Sequence, residues 1–114
     1  MLRKVALLAF AVSLLAACAT HTRIADIKFN PGRFQNHSVT VNGVVTNSWS
    51  IPLVPVQLYR VDDGSGDVTV VSRSGRAPTK GARVSVRGRV NQIGTFGGQS
   101  LGLHLEEENV HFRN

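Results

Sequence analysis

The side chains able to do chemistry in this 114-residue chain are few and widely spaced. Cys18 is the only cysteine. His21, His37, His104 and His111 are scattered, with no pair at the spacing that would place two metal ligands on one element. His104 alternates with leucines and is expected to point outward near Glu106. The carboxylates concentrate in a turn, Asp62-Asp63-Gly64-Ser65-Gly66-Asp67, and in a run, Glu106-Glu107-Glu108, which reads as a solvated strand end. The turn lacks the ligand spacing and closing glutamate of a calcium loop. Neither group suits a paired acid and base. No Gly-x-Ser-x-Gly elbow, HExxH helix or phosphate loop occurs. The chain is therefore expected to work by binding, without catalysis, metal or cofactor.

What Cys18 does follows from what precedes it. Met1-Leu2-Arg3-Lys4 is a short basic head, Val5 to Leu15 an apolar run of 11 residues, and Ala16-Ala17 a small-residue exit. This is the secretory pattern, and the run falls short of the about 20 apolar residues that a membrane-crossing helix needs. Leu15-Ala16-Ala17-Cys18 resembles the lipobox of bacterial lipoproteins, at the place where cleavage should fall. The resemblance implies that residues 1–17 are removed as a signal peptide. It implies too that the Cys18 thiol carries a diacylglycerol and that the new amino terminus is often acylated. Ala19 stands where many inner-membrane lipoproteins have an aspartate, so the resemblance favours the periplasmic face of the outer membrane. A lone exported thiol is thereby accounted for. Several acyl chains anchor firmly to a membrane, because each buried methylene contributes about 0.8 kcal/mol.

Behind the anchor, residues 18–23 are polar and read as a tether, and residues 24–114 as one small domain. Without its first 17 residues the chain has 97, enough to bury roughly 60 to 70% of its unfolded surface around one core. The whole chain carries 13 Lys and Arg against 7 Asp and Glu. Losing Arg3 and Lys4 leaves 11 against 7, a net +4. That balance permits a polyanionic partner without requiring one.

Ile24 to Phe29 predicts one helical turn, stopped by Asn30-Pro31-Gly32. The remainder reads as strands. Val39, Val41, Gly43 and Val45 alternate with polar neighbours, and Val84, Val86, Gly88 and Val90 repeat the rhythm 45 residues later. A glycine on the inward face of a strand marks a bend or bulge of the kind a small barrel needs in order to close. Val56 to Val61 and Val68 to Ser72 flank the Asp62–Asp67 turn as a hairpin. After the glycine-rich loop Gly94 to Gly98, Leu101, Leu103 and Leu105 alternate again. Val110 and Phe112 continue that strand past a bulge at the glutamates.

Five strands, two with inward glycines, predict an all-β closed barrel. The order resembles the OB-fold, a five-stranded Greek-key barrel: a V-x-V-x-G-x-V strand, the Tyr59 to Asp67 hairpin, a Pro78-to-Gly81 crossing and a second V-x-V-x-G-x-V strand. The likeness spans Val39 to Phe112 and extends to nucleic-acid-binding and small exported OB domains. One departure is that Arg73 to Ala82 leaves no room for the usual helix, so the turn at Ile24 is expected to plug one barrel end. OB-folds bind on the face of strands two and three, between the loops after strands one and four. The resemblance thus implies Tyr59, Arg60 and Arg73 on that face and Trp49 and Phe96 in the loops, with Arg76 and Lys80 in the crossing. Aromatic and basic groups together suit an oligosaccharide or a single nucleic-acid strand. The other reading puts Tyr59 in the core, makes Phe96 a plug and leaves the arginines to solvate the surface. The apolar stretch Trp49 to Pro55 suits contact with another envelope protein, in which case the domain is a structural or accessory one.

Overall fold

The computed structural model describes residues 21–74, 76–96 and 99–113, with the backbone alone at 95, 96 and 99–101. The export segment, the lipobox and Cys18 lie outside the described residues. Two short helices, α1 (Ile24–Phe29) and α2 (Pro31–Phe34), lead into the strands. These are β1 (Ser38–Ser50), β2 (Gln57–Asp62), β3 (Asp67–Ser72), β4 (Arg83–Asn91), β5 (Gly94–Phe96), β6 (Gln99–Leu101) and β7 (His104–Phe112). Five of them close into a barrel in the order β1-β2-β3-β7-β4, while β5 and β6 form a separate hairpin. All barrel pairings are antiparallel except β3 with β7, which join over Thr69–Val71 and His104–Glu106. This is the Greek-key barrel of the OB-fold. Leu101, Leu103 and Leu105 do not share one strand as expected: Leu101 ends β6, Leu103 lies between strands, and Leu105 enters β7.

Alternation explains which residues fill the barrel. Val39, Val41, Val45, Val61, Val70, Val84, Val86, Val90 and Leu105 are almost fully buried in one cluster. Burying each such side chain contributes about 1.5–3 kcal/mol relative to leaving it in water. The two echoing segments turn out to be neighbours in the ring. Val39 pairs with Gly88, Val41 with Val86 and Gly43 with Val84, so each glycine faces the first valine of the other strand.

These glycines are where the wall bends. A Cβ on Gly43 would collide with the Asp62 carbonyl oxygen and stand 2.8 Å from Val61 Cγ1. On Gly88 it would stand 2.9 Å from the Glu106 carbonyl oxygen. β1 passes from β4 to β2 just beyond Gly43, and its register slips between Val45 and Asn47. The β4–β7 register slips between Arg87 and Gly88, where Glu108 is the extra residue, so the bulge falls at the glutamates as expected.

One barrel end is closed by α1, whose Ile24 and Ile27 are fully buried in the main core. The β2–β3 turn fastens it there. The Ile24 N–H donates to Asp63 Oδ2 (2.9 Å) and the Ala25 N–H to Ser65 Oγ (3.0 Å). Burial opposes ionisation of Asp63, but the hydrogen bond from Ile24 and those from Ser65 and Gly66 win and hold its carboxyl below the usual range. No helix is found among the described residues of the Arg73–Ala82 crossing, so the plug comes from the amino-terminal side of the chain.

Glu107 corrects the reading of the glutamate run as solvated. With Leu105 inward, Glu107 is inward too, and it accepts hydrogen bonds from the Tyr59 hydroxyl (2.5 Å) and Ser72 Oγ (2.7 Å). Glu106 and Glu108 face the exterior arginines Arg73 (4.0 Å) and Arg87 (3.9 Å). Burial, then the hydrogen bond to Glu107 and its negative charge, drive the Tyr59 phenol far above its ordinary range.

Two outcomes follow. Gly43→Ala is expected to lower stability by about 1–3 kcal/mol, the range for overpacking, whereas Gly32→Ala, with open space around it, should unfold at the wild-type urea midpoint. An unchanged midpoint for Gly43→Ala would mean that the wall bends elsewhere. Tyr59 is the only tyrosine, so tyrosinate absorbance reports on it alone. Its folded pKa is raised, so its contribution to stability is complete below the unfolded value of about 10 and declines as pH rises above it. Tyrosinate should therefore appear together with loss of β circular dichroism; ionisation near the ordinary pKa with the barrel intact would contradict the Tyr59–Glu107 arrangement.

Candidate binding site

The register slip in β1 decides how its last residues are presented. Ser48 pairs with Tyr59 and turns inward, while Trp49 pairs with Leu58 and turns outward. Trp49 is thus a strand residue and not, as expected, part of the β1–β2 loop. Leu58 and Val71 are neighbours across β2 and β3 on the outer wall, yet each is only 1% exposed. The cover comes from the loop itself. Ile51 and Val56, at its two ends, fold back onto Leu58 and Val71, with Trp49 and Val54 half-buried against them. Leu53 at the tip has φ 66° and is fully exposed.

Trp49 is therefore anchored from one side and accessible from the other. Beside it runs an open groove of about 590 Å³ lined by Ser48, Trp49, Ser50 and Gln57 on one side and Arg76, Ala77, Pro78 and Thr79 on the other. Ser48 Oγ donates to the Pro78 carbonyl (2.6 Å), tying the crossing segment to β1 and fixing the groove's width. The groove offers a ring face, a guanidinium and several hydroxyl and amide groups.

The other expected site residues divide. Tyr59 is a correction: it has no exposed surface, and its ring lies in the barrel core. Its neighbour Arg60 points outward, since adjacent strand residues take opposite sides. Arg60 stands 3.6 Å from Asp67, which also takes Lys28 Nζ at 3.1 Å. The hydrogen bond from Lys28, its charge and that of Arg60 lower the Asp67 pKa. Such exposed pairs contribute at most about 1 kcal/mol each. Arg73 lies past the end of β3 facing Glu106. Phe96 ends β5, and its side chain lies outside the described residues. The structure thus joins Trp49 with Arg76 rather than with Tyr59 and Arg60.

His104 is a second correction. It is fully buried instead of facing solvent, with Nδ1 2.7 Å from the Gly102 carbonyl. Among the described residues no group of three or more His, Cys, Asp or Glu is placed to hold a metal ion. No helix among them is long and apolar enough to cross a membrane.

One feature escapes a reading that looks only at the β2–β3 face. Arg83, Arg87 and Arg89 are exposed on the outer side of β4, opposite inward Val84, Val86 and Gly88. Arg113 joins them, its N–H donating to the Arg83 carbonyl (2.8 Å). The signal was available in Val84-Ser85-Val86-Arg87-Gly88-Arg89-Val90: the alternation that buries the valines must expose the arginines.

No family model and no curated protein matches this chain. Solved structures do. Asparaginyl-tRNA synthetase from Pyrococcus horikoshii matches at TM-score 0.56 and 16% identity over 70% of this chain and 20% of its own. The Stn1-Ten1 complex of S. pombe matches at TM-score 0.55 and 20% identity over 67% of this chain and 57% of the other. OBody AM3L09, solved bound to hen egg-white lysozyme, matches at TM-score 0.55 and 18% identity over 72% and 86% respectively. The chain spans only a fifth of the synthetase. At these identities the likeness is one of fold, and the fold it supports is the OB barrel.

Proposed function

We propose that this protein is a lipid-anchored module of the cell envelope that acts by binding, holding a segment of an oligosaccharide or a single nucleic-acid strand in the groove beside Trp49. The carrying observation is Trp49 itself, braced by Ile51, Val56, Leu58 and Val71 on one side and lining the groove opposite Arg76 on the other. A braced ring gives a stacking platform at little entropic cost, worth about 1–3 kcal/mol per nucleobase. Sugars stack on such a face as well, and the flanking Ser48, Ser50, Gln57 and Thr79 suit their hydroxyls. The lipobox-like Leu15-Ala16-Ala17-Cys18 supports export and anchoring through lipid on Cys18, with Ala19 favouring the periplasmic face of the outer membrane. An envelope location favours the glycan. The chemical inventory supports a role without catalysis.

A second reading rests on Leu53. A fully exposed leucine between Pro52 and Pro55 suits docking onto another envelope protein, which would make the domain an accessory one. OBody AM3L09, with a similar fold, was solved bound to a protein.

Trp49 is the only tryptophan, so its fluorescence reads the groove directly. Titration with glycan fragments and with single-stranded DNA is expected to quench it. Quenching by DNA that weakens steeply with salt marks phosphate neutralisation, whereas salt-insensitive quenching by glycans alone marks a sugar ligand. Trp49→Ala should weaken affinity about 10-fold or more, in keeping with the loss of one stacking platform. No response to either polymer from folded protein would rule out the groove as a polymer site. Loss of a co-purifying envelope protein in Leu53→Asp would then favour the accessory role.

A further inference from the structure

We infer that the β4 wall lies against the anionic headgroups of the membrane that holds the anchor, so that the protein has one fixed orientation on the lipid surface. This rests on the reading of Cys18 as lipidated and adds to it a face, a partner and a direction.

The face is the arginine wall. Arg83, Arg87 and Arg89 project from one side of a single strand, where alternate residues stand about 6.6 Å apart. Arg113 extends the row. Arg87 has Glu108 at 3.9 Å; Arg83, Arg89 and Arg113 have no carboxylate within 4.0 Å among the described residues. Register partners of this stretch are Ser38, Thr40 and Asn42 on β1 and Glu106 and Asn109 on β7, so arginines outnumber the carboxylates of this face, Glu106 and Glu108. The exposed rings beside the wall are both on β7, His111 opposite Ser85 and Phe112 opposite Val84. A flat array of guanidinium groups fits a flat array of phosphates.

The partner follows from where the chain leaves the barrel. The Thr22 N–H donates to the Thr40 carbonyl (2.8 Å), and His21 Nδ1 lies 3.2 Å from Asn42 Nδ2. Asn42 in turn lines a shallow cleft of about 260 Å³ with Arg83 and Arg113. The tether therefore departs from the rim of the arginine wall. Three further residues lead back from His21 to Cys18, a reach of at most about 11 Å. A lipid on Cys18 therefore enters the bilayer near the rim where His21 meets Asn42. The nearest surface this wall can meet is thus the bilayer itself, where anionic lipids attract arginines within about a Debye length.

The direction has a consequence for the groove. In the ring β1-β2-β3-β7-β4, the strands that do not touch β4 are β2 and β3. These carry Leu58 and Val71, on which Trp49 and its loop are braced. With β4 down, that side of the barrel faces away from the lipid.

The test uses the complete processed protein in vesicles of neutral or of anionic phospholipid containing a headgroup-linked quencher. A fluorophore is attached at Ser85→Cys on the arginine wall or at Thr69→Cys on the outer side of β3. On anionic vesicles Ser85→Cys is expected to be quenched several-fold more than Thr69→Cys, with the difference shrinking at high salt and on neutral vesicles. Charge reversal, Arg83→Glu with Arg89→Glu and Arg113→Glu, should erase it, while the control pair Arg23→Glu and Arg33→Glu should keep it. Equal quenching at the two positions, or a difference indifferent to lipid charge, overturns the inference. The mass of the purified protein reports separately on the lipid: a Cys18 without acyl mass overturns the anchoring premise, whatever the quenching shows.

Discussion

A sheet of five short strands closes only if its longest strand can serve two neighbours and bend sharply between them. Here that demand falls on a few ångströms at Gly43, where the Asp62 carbonyl occupies the place a side chain would take. Gly88 meets the matching demand against the Glu106 carbonyl. Because the two strands pair with each other, the glycines act together, each making room opposite a valine of its partner. The register slips that follow, at Thr46 and Glu108, set which residues beyond them point inward. Closure thus determines the orientation of Trp49 and of Glu107, the two side chains on which the rest of the surface and interior turn.

The interior is apolar in its middle and held by hydrogen bonds at both ends. The plug at the Ile24 end is held by backbone donors meeting Asp63 and Ser65. At the other, Glu107 collects the Tyr59 and Ser72 hydroxyls. A carboxylate there is tolerated because both of its oxygens are hydrogen-bonded. The outer wall is divided as sharply. Over β2 and β3 the chain covers its own apolar patch with its loop; over β4 it presents guanidinium groups to solvent.

Much of this was legible in the sequence. Alternating valines, paired glycines, the Asp-Gly-rich turn and the short Ile24 helix were enough for the barrel and its plug, since each signal is local. What failed depends on phase. Tyr59 and Arg60 both suit a ligand by type, yet neighbours on a strand face opposite ways, so one had to be inside. Trp49 looked like loop because Asn47 to Ser50 show no apolar alternation; its strand is fixed by pairing with β2. Glu107 is invisible in a run of three glutamates unless the inward position of Leu105 is carried forward two residues. The arginines of β4 were hidden by attention to aromatics. Cys18 and the Phe96 side chain stand outside what the structure describes.

The seam between β3 and β7 has a consequence in time. Every other pairing in the ring joins strands that are consecutive in sequence or run together over most of their length, but Thr69–Val71 meet His104–Glu106 in parallel and only briefly. Closing so short a contact across so long a loop carries a chain-entropy penalty that neighbouring hairpins do not meet. The hairpin β2–β3 and the broad β4–β7 ladder can assemble first as an open, curved sheet with two bare edges. Until the seam forms, those edges are able to pair with another chain. The same joint, with three register pairs, is the shortest seam holding the ring closed.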